Sequence, residues 1–231
     1  MTLKTIVKSI LFRPGIHQYT IRGGALKGMR FHFDLHKDTQ TWRGIYEQSL
    51  QAWLTRYVQP GATCLDIGSA DGYFALLMAK LSGPSGEVHA FEPCDSAEDR
   101  IGGIACIRSN FAANSNFPLA SVVLYDSFAG TEYDPAANVT SIDHLVDEGK
   151  LAKVDVVKID VDGGEMDVLR GMRNTLQRFH PHLFVEVHSH ELREQVEEFT
   201  TQLGYTLRLE MPASFEERPL DFNAFCLSEQ N

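Results

Sequence analysis

The stretch Cys64-Leu65-Asp66-Ile67-Gly68-Ser69-Ala70-Asp71-Gly72-Tyr73-Phe74 decides the fold. It reads as a strand over residues 63–67, a glycine turn, and a helix over residues 73–81. Gly68 and Gly72 let the backbone bend sharply and leave room for a ligand against the main chain. That room lies at the carboxyl end of the strand, where open α/β sheets bind ligands.

The same rhythm continues outward from this unit. Gly83-Pro84 marks a turn, and strands are predicted at 88–91, 122–125, 154–159 and 183–187, with helical segments between them. Strands separated by helices imply a parallel, doubly wound sheet covered on both faces. The chain end departs from that rule. Runs 205–209 and 222–227 are joined by a connection carrying Pro212 and Pro219 with no helical pattern, so they are expected to pair antiparallel. The fold class is therefore α/β, similar to the Rossmann-like, seven-stranded class I methyltransferase fold. Upstream, Tyr46, Leu50, Trp53, Leu54 and Tyr57 recur at helical spacing until Pro60-Gly61 stops them. Runs 19–22 and 29–35 around Gly23-Gly24 and Gly28 read as a hairpin, an accessory cap rather than a core layer. Leu3, Ile6, Val7, Ile10 and Leu11 share one helical face beside Lys4 and Lys8, the pattern of a docked helix or of one lying on a membrane surface. Residues 1–45 thus form an extension, and 46–231 the ligand-binding part, of one domain.

Composition narrows the function classes. A formal charge of −10 argues against a nucleic-acid partner, because such surfaces replace counterions with Lys and Arg. Cys64, Cys94, Cys106 and Cys226 form no C-x-x-C pair, so they are read as reduced thiols of a cytoplasmic protein. No export signal or membrane span is predicted.

Two ligand readings compete at the glycine turn. A dinucleotide loop needs three glycines spaced G-x-G-x-x-G, whereas this loop has Gly68 and Gly72 and carries Asp66 and Asp71. Carboxylates repel a pyrophosphate, and favour the ammonium and sulfonium charges of S-adenosylmethionine. Ala90-Phe91-Glu92-Pro93 puts Glu92 at the next strand tip, where an acid can accept the ribose hydroxyl hydrogens. Glu47 could meet the methionine ammonium, or simply place negative charge at a helix N-terminus. The bland alternative is a Rossmann-like domain with tight turns and no cofactor.

Several segments in order carry a family resemblance: Gly24-Ala25-Leu26-Lys27-Gly28, Gly44-Ile45-Tyr46-Glu47, the Asp66 loop, Phe91-Glu92-Pro93, Val157-Lys158-Ile159-Asp160-Val161-Asp162-Gly163-Gly164-Glu165, and Phe184-Val185-Glu186-Val187-His188. Over residues 19–191 the chain resembles the FkbM family of methyltransferases. The resemblance implies transfer of a methyl group from S-adenosylmethionine to a hydroxyl on a sugar or secondary metabolite. It implies a cofactor wall of Gly68, Ser69, Asp71, Gly72 and Tyr73 with Glu92 and Pro93, and Asp126 and Ser127 are assigned to the adenine edge. This chain departs from the family pattern at Ser69-Ala70-Asp71 and at Asp162-Gly163, and between Glu92 and Val122 only Asn110 and Asn114 remain of an Asn-rich helix.

Methyl transfer is an in-line displacement, so holding the acceptor oxygen against the methyl carbon can supply up to about 7–11 kcal/mol. An alcohol must also lose a proton to a base or a metal-assisted site. Asp160, Glu186 and His188 cluster at two strand tips. His188 is the first choice for general base, its reference pKa being about 6.5; otherwise it closes a strand end or bonds Glu186. Asp160 and Glu186 would orient substrate or base, or join His188 around a divalent metal, which is not the favoured reading. Glu165 fits a helix capped by Asp162 as well as it fits a function. Lys158 could pair with an acid or touch substrate. A catalytically silent binding protein and a nucleotide-dependent oxidoreductase are the competing functions. The acceptor, expected to be a small hydroxylated molecule, depends on the loops around Trp42 and 210–221, and oligomeric state has no motif.

Overall fold

The computed structural model describes residues 14–93, 103–210 and 222–228. The amphipathic segment at 3–11, Cys94 and the connection at 211–221 lie outside the described residues.

An antiparallel hairpin of β1 (His17–Thr20) and β2 (Arg30–Phe33) precedes helices α1 (Thr39–Arg43) and α2 (Gln48–Tyr57). The main sheet then begins with β3 (Thr63–Ile67), α3 (Tyr73–Ser82), β4 (Glu87–Phe91), α4 (Ile104–Ala113) and β5 (Ser121–Tyr125). A short ladder of β6 (Phe128–Ala129) and β7 (Val139–Thr140) leads to α5 (Ile142–Asp147) and β8 (Val156–Ile159). Helices α6 (Glu165–Arg170) and α7 (Arg173–Phe179) reach β9 (His182–Val187). The described chain closes with α8 (His190–Gln202), β10 (Tyr205–Glu210) and β11 (Phe222–Ser228). The strand order is β10-β11-β9-β8-β3-β4-β5. Strands β9, β8, β3, β4 and β5 are parallel, and β11 inserts antiparallel between β9 and β10, as expected for the last two strands.

Every residue of β3 and β8 is buried, the mark of strands covered on both faces. Alternate residues serve opposite cores. Cys64, Val88, Val156 and Phe184 meet Leu50 and Leu54 of α2 and Leu76 of α3. Leu65, Ile67, Val157 and Val185 meet Leu145, Leu169, Leu176 and Val196 from α5 to α8.

Two expectations change. The hairpin is no accessory cap: Met29 and Phe31 are fully buried in the same core as α2 and α3, with Phe31 edge-on to Tyr73 at 5.6 Å. Buried asparagines of α4 fix it there. Asn110 Oδ1 accepts from His32 N (2.9 Å) while its Nδ2 donates to the Asp71 carbonyl (2.9 Å), and Asn114 pairs with both Arg30 N and Arg30 O. Replacing Asn110 with alanine is expected to cost about 1–3 kcal/mol, because a buried donor and a carbonyl lose their partners; chemical denaturation would measure it. The second change concerns the helix predicted to start from an Asp162 cap. It begins at Glu165 with Gly164 as N-cap and ends at Arg170 with Gly171 as C-cap, a position where the Gly130 carbonyl leaves no room for a β-carbon. Among the described residues no helix is long and apolar enough to cross a membrane.

Candidate active site

The carboxyl ends of the parallel strands open into a cavity of about 1130 Å³. Its floor is the glycine turn. Gly68 N and Ser69 N both donate to the Phe91 carbonyl (3.0 and 3.1 Å), which staples the turn across β4. Gly68 has φ +79° and lies so close to the Asp160 carbonyl oxygen that a β-carbon would overlap it. At the tip of β4 the Glu92 carboxylate accepts from Ala70 N at 2.8 Å. Three non-glycine residues on the cavity wall, Glu47, Ala70 and Asp162, hold left-handed backbone at φ 40°, 49° and 44°. Strain of that kind, about 1–3 kcal/mol each, concentrates at functional sites.

Of the residues singled out from sequence, Glu47, Gly68, Glu92, Pro93, Ser127, Asp160 and Glu186 line the cavity. The others do not, each for a physical reason. Asp66 is fully buried, and the parallel register sets it opposite Lys158. Lys158 Nζ lies 3.2 Å from Asp66 Oδ1, 3.3 Å from Asp160 Oδ2 and 2.9 Å from the Gly68 carbonyl. Burial works to lower the Lys158 pKa, but Asp66, Asp160 and Glu47 outweigh it and hold the ammonium above its usual value. Burial raises the Asp66 carboxyl above its usual range while Lys158 works against that shift, so Asp66 is the buried partner of Lys158 and not a wall residue facing a cationic ligand. The Ser69 hydroxyl donates to the Asp66 carbonyl at 2.6 Å. Asp71 turns toward the start of α3, accepting from Tyr73 N, and burial pushes its carboxyl up to about 7. Gly72 is the N-cap of α3, packed on Ile107, and Tyr73 is wedged between Phe31 and Tyr46. Asp126 is exposed off the wall, and Ser127 with Phe128 takes its place there.

At the opposite end, Asp160 and Glu186 face the cavity. Burial, with Asp160 and Glu47 adding to it against His188 and Lys158, raises Glu186 to about 8. His188 stands behind them. Its Nδ1 meets the fully buried Glu165 at 2.5 Å, and its Nε2 lies 3.8 Å from Asp160 and 3.4 Å from Asp162. The Glu165 hydrogen bond outweighs burial and raises His188 to about 9. The ring expected on the wall is instead set back from it, tied to Glu165 with Nε2 near Asp160 and Asp162. Asn223 was not foreseen. The β9–β11 register sets it opposite Glu186, 6% exposed, with an Oδ1 that has no hydrogen-bond partner among the described residues. Donor atoms of Asp160, Glu186 and His188 lie within 4.8 Å of one another.

A parallel sheet closed by an antiparallel last pair, with a ligand cavity over a glycine turn, is the class I methyltransferase fold. Residues 66–207 match the methyltransferase FkbM domain, and the chain belongs to that family. It is 29% identical over 157 residues to the hexuronic acid methyltransferase AglP of Haloferax volcanii, a match covering 62% of this chain and 63% of that protein. The chain thus spans less than two thirds of that relative's length. Among solved structures, an FkbM methyltransferase from Methylobacillus flagellatus KT aligns with a TM-score of 0.53 at 15% identity, over 82% of this chain and 55% of that one. Aeropyrum pernix fibrillarin, solved with natively bound S-adenosylmethionine, aligns with a TM-score of 0.50 at 16% identity, over 74% of this chain and 68% of its own. These structural likenesses concern the fold.

Proposed function

We propose that this protein binds S-adenosylmethionine over the Gly68 turn and directs its methyl group to an oxygen of a small sugar or sugar acid. The observation that carries the reading is the pairing of Glu92 with the turn: a carboxylate at the β4 tip, anchored on Ala70 N, beside the stretch of turn that lines the cavity at Gly68 and Ala70. A ribose diol fits the first and a methionine moiety the second. The wall carries Asp38, Glu47, Glu92, Asp160, Asp162 and Glu186 against Lys37, which suits a ligand bearing ammonium and sulfonium charges and repels a polyphosphate or a nucleic-acid backbone. The fibrillarin complex and the hexuronic acid of the relative's name agree with the donor and the acceptor class.

The donor supplies a methyl carbon on a cationic sulfur: the acceptor oxygen bonds that carbon as the carbon–sulfur bond breaks, and the electron pair returns to sulfur. The residues of the chain do the rest. In this reading Asp160, at the end of the cavity away from Glu92, takes the proton of the acceptor hydroxyl, and Glu186 beside it helps to hold that hydroxyl. His188, fixed by Glu165, and Lys158 keep the Asp160 carboxylate in place from behind.

Calorimetric titration of the purified protein with S-adenosylmethionine and, separately, NAD tests the reading. Binding of the first alone is expected, and Glu92→Ala should weaken it about tenfold to a hundredfold through loss of charged hydrogen bonds to the ribose. Binding of NAD alone, or S-adenosylmethionine binding that Glu92→Ala leaves untouched, would refute this placement.

A further inference from the structure

We propose that Asp160, Glu186 and His188, with the Asn223 amide oxygen beside them, form a site for one divalent cation of the manganese type in the cavity. The proposal deepens the reading above, since it sits at the end of the cavity assigned there to the acceptor.

Geometry supplies the first argument. One nitrogen and two carboxylate oxygens, from the tip of β8 and the end of β9, lie within 4.8 Å of one another, close enough to converge on a single ion. His188 is oriented as metal-bound histidines are. Its Nδ1 is tied to the buried Glu165 carboxylate at 2.5 Å, which leaves Nε2 as the free ligand atom, aimed between Asp160 and Asp162. A cation there would take the place of the Nε2 proton.

Asn223 supplies an independent argument. It comes from β11, a strand outside the parallel set, and the register brings it directly across from Glu186. It lines the cavity, yet its Oδ1 is buried with no hydrogen-bond partner among the described residues. A buried carbonyl left that way is costly unless something fills the gap. A cation held by its neighbours would fill it.

The donor set, one imidazole with carboxylate and amide oxygens and no thiolate, suits manganese better than the softer metals. A bound ion would hold the acceptor oxygen and ease loss of its proton.

The test is titration of the chelator-treated full-length protein with manganese(II) chloride, without methyl donor or acceptor, following the paramagnetic resonance signal of the free aqueous ion. One saturable equivalent is expected, with affinity lowered at least about tenfold by Glu186→Gln and by Asn223→Ala. Should Glu186→Gln fail to fold, Asn223→Ala decides alone. No saturable uptake, or uptake that the folded variants leave unchanged, overturns the site. Titrating the same metal-free protein with S-adenosylmethionine separates the two readings. Methyl-donor binding without manganese uptake sinks the cation site only, whereas manganese uptake without donor binding sustains the cation site and sinks the methyltransferase reading.

Discussion

Gly68→Ala is expected to abolish measurable S-adenosylmethionine binding and to cost about 3 kcal/mol or more of stability, well above the usual single-substitution effect. Two penalties add at this position. The backbone is left-handed at φ +79°, and the new β-carbon would overlap the Asp160 carbonyl oxygen, a main-chain atom at the end of β8 that cannot swing aside as a side chain would. Relief requires the turn to lift from β8, and that motion pulls Gly68 off the Lys158 ammonium and off the Phe91 carbonyl. The cofactor floor and the acceptor wall meet at this contact, so both should suffer. Gly149→Ala isolates the conformational part, because Gly149 has φ +71° with nothing near its absent β-carbon. It should cost only about 1 kcal/mol and leave ligand binding intact. Equal effects of the two alanines, read by thermal melting and calorimetry, would show that the contact with Asp160 is unimportant.

The contrast between what the sequence revealed and what it hid follows from which features depend on register. The parallel strands were readable because β3 and β8 are buried along their whole length and so appear as short apolar runs between turns. The antiparallel end was readable because the sequence between β10 and β11 carries Pro212 and Pro219 and no helical apolar pattern. Gly68, Glu92, Asp160 and Glu186 were readable as cavity-lining residues for a related reason: a residue at the carboxyl end of a parallel strand faces the open edge of the sheet whatever its exact neighbours. Asp66, Asp71 and His188 have the same proximity in sequence but a different fate. Asp66 is consumed by Lys158 through cross-strand pairing, and His188 is held back by Glu165, a residue whose spacing resembles an ordinary helix cap. Asn223 is the extreme case, since its place depends on an antiparallel register between β11 and β9 that no local sequence pattern sets. The merger of the hairpin with the core was hidden for the same cause, resting on Asn110 and Asn114 reaching back to β2.

Lys158→Met should be the most damaging substitution in the sheet, destabilising the protein by about 3–5 kcal/mol, the range for breaking a buried ion pair by removing one partner. Lys158 is 2% exposed and Asp66 is not exposed at all. The contact at 3.2 Å is an ion pair, not a well-angled hydrogen bond, and the Asp66 carboxylate oxygens are otherwise shut away from water. Methionine preserves much of the volume and the packing on Phe74, so the loss should come from the stranded carboxylate and not from a cavity. That attribution is open to a double-mutant test. Adding Asp66→Asn removes the uncompensated charge, and the double variant should recover most of the stability. Ligand binding should not recover with it. The Gly68 carbonyl and Asp160 would still lack the ammonium that joins them, leaving the turn and the acceptor wall free to drift apart. A double variant as unstable as Lys158→Met alone would mean that packing, not charge, is what Lys158 provides. One that regains full S-adenosylmethionine affinity along with stability would mean that Lys158 serves the core and leaves the site to other residues.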